Sequence, residues 1–285
     1  MFRIAYIIAV LGLCVVASIG SADVMDGVIS VWNFNDGTAN DLYGRNNGIV
    51  NGGVQFVDGR IQLGVDLNGI DASVDIPHGP TMDPMENAWS VAAWAFIRNG
   101  GDAWPIVWKG EQLGGGPLFM FRLCTNSNVA LTWGANNVKG SVHNEKEPGA
   151  ITAEGWFHSN RVYMTGEWIH VAEIANGETF NAYLNGEPVL TTESFDGAPF
   201  RSTDPKPMTA PYMIYPEQPI QIGVGKGWGG ENDFRYLDAI VDEVVIYDRA
   251  ISHDELNELM DFDWPTVAVE PKDKLAVRWA EIKNE

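Results

Sequence analysis

Cysteine is nearly missing from this 285-residue chain, which holds only Cys14 and Cys124. Cys14 lies in an apolar N-terminal run, so Cys124 stands alone in the remainder and no internal disulfide is available there. Basic residues are also scarce. Beyond residue 22 there are 17 Lys and Arg against 38 Asp and Glu, a net charge of −21. That balance argues against nucleic acid and anionic membrane surfaces as partners. Long apolar runs are missing after the N-terminus, and helical periodicity is nearly absent from residues 24–250. Two catalytic signatures are missing as well. There is no Gly-x-Ser-x-Gly elbow, and the Gly223-x-Gly225-x-Gly227 run lacks the helix that a phosphate loop needs.

The one long apolar run is N-terminal. Arg3 precedes an uncharged stretch over residues 4–19, and Gly20-Ser21-Ala22 offers small residues before Asp23. This layout predicts a secretory signal peptide over residues 1–22, with an uncleaved membrane anchor as the alternative. Leu13 stands before Cys14, where lipid attachment would want a small residue. The mature chain is therefore expected outside the cytoplasm, with its core holding the fold without cross-links.

What is present reads as β-structure. Short apolar runs at 28–34, 54–57, 73–76, 90–96, 105–108, 118–123 and 129–133 are each bounded by Gly, Asn, Asp or Pro. In "GEWIHVAEIANGETFNAYLNGEPVL" two Asn-Gly pairs, 176–177 and 185–186, separate three runs. Asn-Gly tolerates the positive φ of a type I′ turn, so strands are expected over 168–175, 178–184 and 187–191, in a meander. Residues 238–247 are apolar at most positions on both faces, which predicts an inner strand. Simple alternation puts Asp242 with Val244 and Ile246, and Glu243 with Val241, Val245 and Tyr247. Ser252-x-x-Glu255 fits a capping box opening a short helix. Residues 134–165 and 192–219 read as long excursions. In the tail, Pro265 and Pro271 flank an extended piece, and Leu275, Trp279 and Ile282 fall at helical spacing.

Four blocks carry a family resemblance. "VWNFNDG" with "DLYGRNNG", "WSVAAWAFI", "GEWIHVA…YLNGEPV" and "IVDEVVIYDRAISHDEL" together span about residues 28–260. They resemble the LamG-like jelly rolls of the concanavalin A-like lectin/glucanase superfamily. Asn35 stands where an Asp is usual there, and Tyr43 where a Ser is usual. The resemblance implies an all-β, two-sheet antiparallel jelly-roll sandwich, placed over 23–262 with a short C-terminal helix, and the tail pattern adds a linker and short amphipathic helix over 263–285. It also implies a calcium ion bridging the first strand and the last, drawing on Asn35, Asp36 or Asp41 with Asp242. Calcium takes six to eight oxygen ligands, and a metal-free Asx-turn network would use the same residue types.

Ligand-binding residues are expected on aromatic loops. An aromatic ring accepts the apolar face of a sugar, and amides and carboxylates accept its edges. Trp156, Tyr163, Tyr212, Tyr215 and Trp228, with Asn232 and Asp233, fit that chemistry, and each ring could equally pin a loop to the sandwich. His170, mid-strand among Trp168, Ile169 and Val171, reads as a hydrogen-bonded core residue. Glycosidases of the resembled superfamily place two carboxylates on one strand face in a Glu-x-Asp-x-(x)-Glu pattern, and the chain shows no such pattern. The sequence thus points to a secreted, non-catalytic module that binds a glycan. A protein-interaction module and a glycan-cleaving enzyme with an unrecognised site stand as alternatives.

Overall fold

A computed structural model describes residues 23–82, 88–99, 104–113, 116–126, 130–134, 157–159, 165–176, 179–188, 191–193, 200–202, 206–207, 219–226 and 232–264. Two nine-stranded antiparallel sheets account for nearly all of them. The front sheet runs in the order Glu187–Pro188, Thr179–Leu184, Trp168–Ala175, Trp89–Asn99, Asp238–Tyr247, Leu63–Asn68, Gln55–Asp58. The first strand, Val28–Trp32, also pairs with Asp238–Tyr247, and Lys206–Pro207 pairs with Thr179–Leu184. The back sheet runs Phe200–Ser202, Thr191–Glu193, Phe157–Ser159, Ala130–Gly134, Gly116–Asn126, Trp104–Leu113, Ile220–Ile222, Ser73–Ile76, Ile49–Asn51. A separate hairpin joins Val224–Lys226 to Phe234–Tyr236.

Alternation along the front strands decides what is inside. Val91, Ala93, Ala95 and Ile97 face the back sheet together with Ile169, Val171, Val65 and Leu67, and meet Val74, Ile76, Ile220 and Ile222 there. The intervening Ala92, with Ala172, Val245 and Tyr247, forms a second apolar cluster on the outer face. That cluster explains the helix His253–Leu259. Leu256 and Leu259 cover it, and Trp264 joins them. Burying each of these leucines stabilises the arrangement by about 2 kcal/mol. The capping box forms as the sequence predicts. Ser252 Oγ accepts from Glu255 N, and Ser252 N donates to Glu255 Oε2 at 2.7 Å.

The Asn-Gly reading holds at Asn185 and Gly186, whose φ values are 51° and 77°. The three-stranded meander forms, with a shorter third strand, Glu187–Pro188. Thr191 does not continue it. Thr191–Glu193 pairs within the back sheet, so the chain changes sheets just after Pro188. The two stretches read as excursions also contribute strands: Phe157–Ser159, Phe200–Ser202 and Lys206–Pro207. The tail helix expected beyond Trp264 lies outside the described residues.

The last strand departs from simple alternation. Its register against Trp89–Asn99 shifts between Asp242 and Val245, and Glu243 has φ of 49°. One extra residue is accommodated there, a β-bulge. Val241, Val244 and Ile246 therefore share the inner core, while Val245 and Tyr247 face outward. Strict alternation had placed Val241 with Val245.

Candidate functional site

Just after the first strand, the chain "NFNDGTANDLYGRNN" folds over itself and is organised by Asp41. Asp41 Oδ1 accepts from the N–H groups of Val31 at 3.0 Å and Tyr43 at 3.2 Å. Oδ2 accepts from Arg45 N at 3.0 Å, Asn46 N at 3.1 Å and Ser30 Oγ at 3.3 Å. Asn46 ties the loop inward: its carbonyl accepts from Trp32 Nε1 at 2.9 Å, and its Nδ2 donates to Ser30 Oγ at 2.6 Å. Asp36 closes a smaller turn, Oδ1 accepting from Thr38 N at 2.9 Å and Thr38 Oγ1 at 2.6 Å. The loop is thus held by side chains because it has no ladder of its own.

This loop borders an open cavity of about 470 Å³. Its lining combines Asn33, Asn35, Asn40 and Asn47 with Asp36, Asp41, Leu42, Tyr43 and Gly44. Asn35 Oδ1 accepts from Leu63 N at 3.0 Å, which fixes the amide and leaves its buried Nδ2 without an acceptor. Asn33 Nδ2 is likewise buried and unmatched. An unpaired buried donor costs about 1–3 kcal/mol. Both nitrogens lie beneath the cavity surface, so the polar groups the lining presents are the amides of Asn40 and Asn47 and the Asp36 carboxylate.

A second polar cluster lies at the bulge. Asp242 is fully buried and accepts from Arg60 N, Ile61 N and Glu243 N at 2.8, 3.0 and 2.8 Å. Burial pushes its carboxyl up to about 7, against the pull of those N–H groups and the Arg60 charge. Glu243 is 5% exposed, and both carboxylate oxygens lack any hydrogen-bond partner. Burial first, then the Asp242 and Asp263 charges, push it up to about 9. Glu243 is the protonated member of the pair, because Asp242 alone receives N–H donors. Nearby, Arg60 lies 4.6 Å over the Trp94 ring, and His170 packs 5.1 Å from that ring. Burial lowers the His170 pKa to about 3, so the imidazole is neutral, and its Nδ1 makes no hydrogen bond. The hydrogen bond expected there from the sequence is absent at that nitrogen.

The expected site residues separate accordingly. Asn35, Asp36 and Asp41 come together around the cavity, whereas Asp242 lies among the buried groups of the bulge. Both oxygens of Asp41 already accept protein donors. Among the described residues no three acidic, His or Cys side chains are grouped to hold a metal ion. Asn232 is exposed, and Asp233 pairs with Arg235 at 2.8 Å. Trp156, Tyr163, Tyr212, Tyr215 and Trp228 lie outside the described residues. Sequence reasoning passed over Asn33, Asn40 and Asn47. Their signal was compositional: five Asn within residues 33–47.

Two packed antiparallel sheets define an all-β jelly-roll sandwich. A family model described as concanavalin A-like lectin/glucanases superfamily matches residues 68–257, well over half of the chain, and the chain belongs to that superfamily. No protein of curated function matches it. Several solved structures share the fold. Domain 4 of AbnA, an extracellular GH43 arabinanase from Geobacillus stearothermophilus solved with arabinotriose, is 17% identical with a TM-score of 0.55, over 81% of this chain and 97% of that one. The binding domain of botulinum neurotoxin DC, solved with SialylT, is 14% identical with a TM-score of 0.54. The binding domain of Paraclostridial Mosquitocidal Protein 1 is 15% identical with a TM-score of 0.57. This chain covers 52% and 53% of those two domains. Among the described residues no helix is long and apolar enough to cross a membrane.

Proposed function

We propose that the protein is an extracytoplasmic, non-catalytic module that binds a neutral saccharide in the Asn-lined cavity. The carrying observation is the cavity itself, lined by four Asn residues, a tyrosine and two Asp residues. Amide and hydroxyl groups match the alternating donors and acceptors of sugar hydroxyls. Asp36 and Asp41 in the lining, and a net charge of −20 on the whole chain, repel carboxylated or sialylated glycans. The family and the neighbours with bound glycans support the reading at the level of fold. The non-catalytic reading is supported by Asp41, whose two oxygens are both occupied by protein donors, and by the buried pair Asp242 and Glu243, which does not line the cavity.

Calcium is a separate proposal. A cation at the cavity would draw on Asp36, because both oxygens of Asp41 accept protein donors and Asp242 lies buried at the bulge.

The test is a glycan array on the full chain, run with calcium and with EDTA. Neutral glycans are expected to bind in both conditions, and Asn35→Ala and Asn47→Ala are expected to weaken binding. Binding abolished by EDTA would make the cation part of the site. Binding only to sialylated or uronic-acid glycans would sink the neutral-ligand reading. Retention of a protein from extracellular fluid with no glycan bound would favour the protein-interaction alternative.

A further inference from the structure

Asn-Gly pairs recur along this chain, at 47–48, 51–52, 68–69, 99–100, 176–177 and 185–186. Gly100 and Gly177 lie outside the described residues. Each pair carries a latent reaction. The glycine nitrogen has no neighbouring Cβ to shield it, and the carboxamide before it is one five-membered ring away. Whether the two meet depends on what already holds them.

Three of the described pairs are held. Asn47 Oδ1 accepts from Asp41 N at 3.0 Å, and Gly48 N donates to Ala39 O at 2.7 Å. Asn68 Oδ1 accepts from the N–H groups of Ile70, Asp71 and Ala72 at 2.9, 3.1 and 3.1 Å, and Gly69 N donates to Leu237 O at 3.1 Å. Asn185 Oδ1 accepts from His170 N at 2.8 Å, while Gly186 is buried and its carbonyl meets His253 Nε2 at 2.7 Å. Turning any of these carboxamides toward its glycine forfeits a hydrogen bond.

Asn51-Gly52 differs. Asn51 ends the strand at the edge of the back sheet, and Gly52 opens the turn toward Gln55–Asp58, the edge of the front sheet. Asn51 Nδ2 reaches Ile49 O and Ser73 Oγ only at 3.5 Å, beyond the usual range of such bonds, and its Oδ1 has no donor among the described residues. Asn51 is half-buried and Gly52 is exposed. Gly52 N has no acceptor among the described residues. The glycine itself is fixed, with φ of 61° and so little room that a Cβ there would stand 2.2 Å from Asp71 O. The nucleophile is therefore held in place and open to solvent, while the carboxamide is free to swing toward it.

We infer that Asn51 is a site of spontaneous deamidation, reacting in the folded protein ahead of the other three described pairs, with water as the co-reactant. Gly52 N loses its proton to solvent base and attacks Asn51 Cγ. The N–Cγ bond forms, the Cγ–Nδ2 bond breaks, and Nδ2 takes a proton from solvent and leaves as ammonia. Water then opens the cyclic imide at Cγ, giving aspartate, or at the main-chain carbonyl, giving isoaspartate. Either product adds a negative charge on the turn where the Asp71 carboxylate accepts from Gly53 N at 3.1 Å. Isoaspartate also lengthens the main chain by one methylene where Gly52 already presses on Asp71. This chemistry is independent of the saccharide reading.

Ageing the full chain in heavy-oxygen water at pH 8, then digesting it and locating the label by tandem mass spectrometry, tests the inference. Label is expected at residue 51 about tenfold or more faster than at 47, 68 or 185. In the urea-unfolded chain the four rates should converge, because the clamps are gone. Asn51→Gln should remove the more acidic species that ion exchange resolves on ageing, with the melting temperature kept at the value of fresh wild type. Asn51 left intact while a capped Val-Asn-Gly-Gly peptide in the same buffer converts fully would refute the site. Labelling at 47, 68 or 185 that equals or outpaces 51 in the folded chain would refute it as well.

Discussion

At the scale of the residue, Glu243 is the most unusual side chain described. A buried acid with positive φ and no donor is stable only in its neutral form. Its folded pKa, about 9, lies above the ordinary value of 4.5. Between those pH values the folded state holds a proton that the unfolded chain has released, so stability falls as pH rises through that window. Glu243→Gln removes the liability. The variant should melt several degrees higher than wild type at pH 8 and show no gain at pH 4, read by scanning calorimetry at both. Asp41 is the opposite case, a carboxylate whose oxygens meet five protein donors. Asp41→Ala should lose about 2–4 kcal/mol of stability in urea unfolding. Neither role was legible in the sequence. Asp41 was legible as a turn residue, but the same pattern fits a calcium ligand, and only the donors around it separate the two.

At the scale of the element, the local signals were reliable where backbone chemistry is self-contained. The Asn185-Gly186 turn and the Ser252 capping box need only neighbours in sequence, and both form as read. Ser252→Ala should cost about 1 kcal/mol in the same unfolding assay. Arg249 reinforces that helix start: its guanidinium pairs with Glu255 and also donates to Asp23 O and Asp26 O. The signals failed where partners are distant. Nothing local distinguishes 187–188 from 191–193, yet they belong to different sheets. The bulge in the last strand answers to the partner strand beside it, so strict alternation mis-assigned half of that strand. Cavity walls posed the same difficulty, because Asn33 and Asn47 meet only through the folding of the loop between them.

At the scale of the whole molecule, acidity sets the working range. Asp71 and Glu255 sit below the ordinary carboxylate range. Asp71 is held there by hydrogen bonds from Asn68 and Gly53. For Glu255, burial pushes upward and is outweighed by Arg249 and Ser252. Their contribution is present above the unfolded pKa and is lost as pH falls through the folded one. Asp242 and Glu243, raised, act in the opposite direction, and so does the mutual repulsion behind a net charge of −20. Thermal melts across pH 3–10 should therefore show a maximum near pH 4–5, with the larger decline toward pH 9, where the two raised acids must ionise, and a smaller one below pH 4. Added salt should lift the alkaline limb by screening the repulsion.

The last strand has a further consequence, in time rather than in space. It lies in the middle of the front sheet, and Tyr247 pairs with Val28 at the far end of the chain. A growing polypeptide therefore cannot zip this sheet until nearly the whole domain has left the ribosome. Contacts of such sequence separation make folding slow and concerted. Until then the sheet lacks the strand that joins its two halves, and the strands already made wait with bare edges that a chaperone must guard.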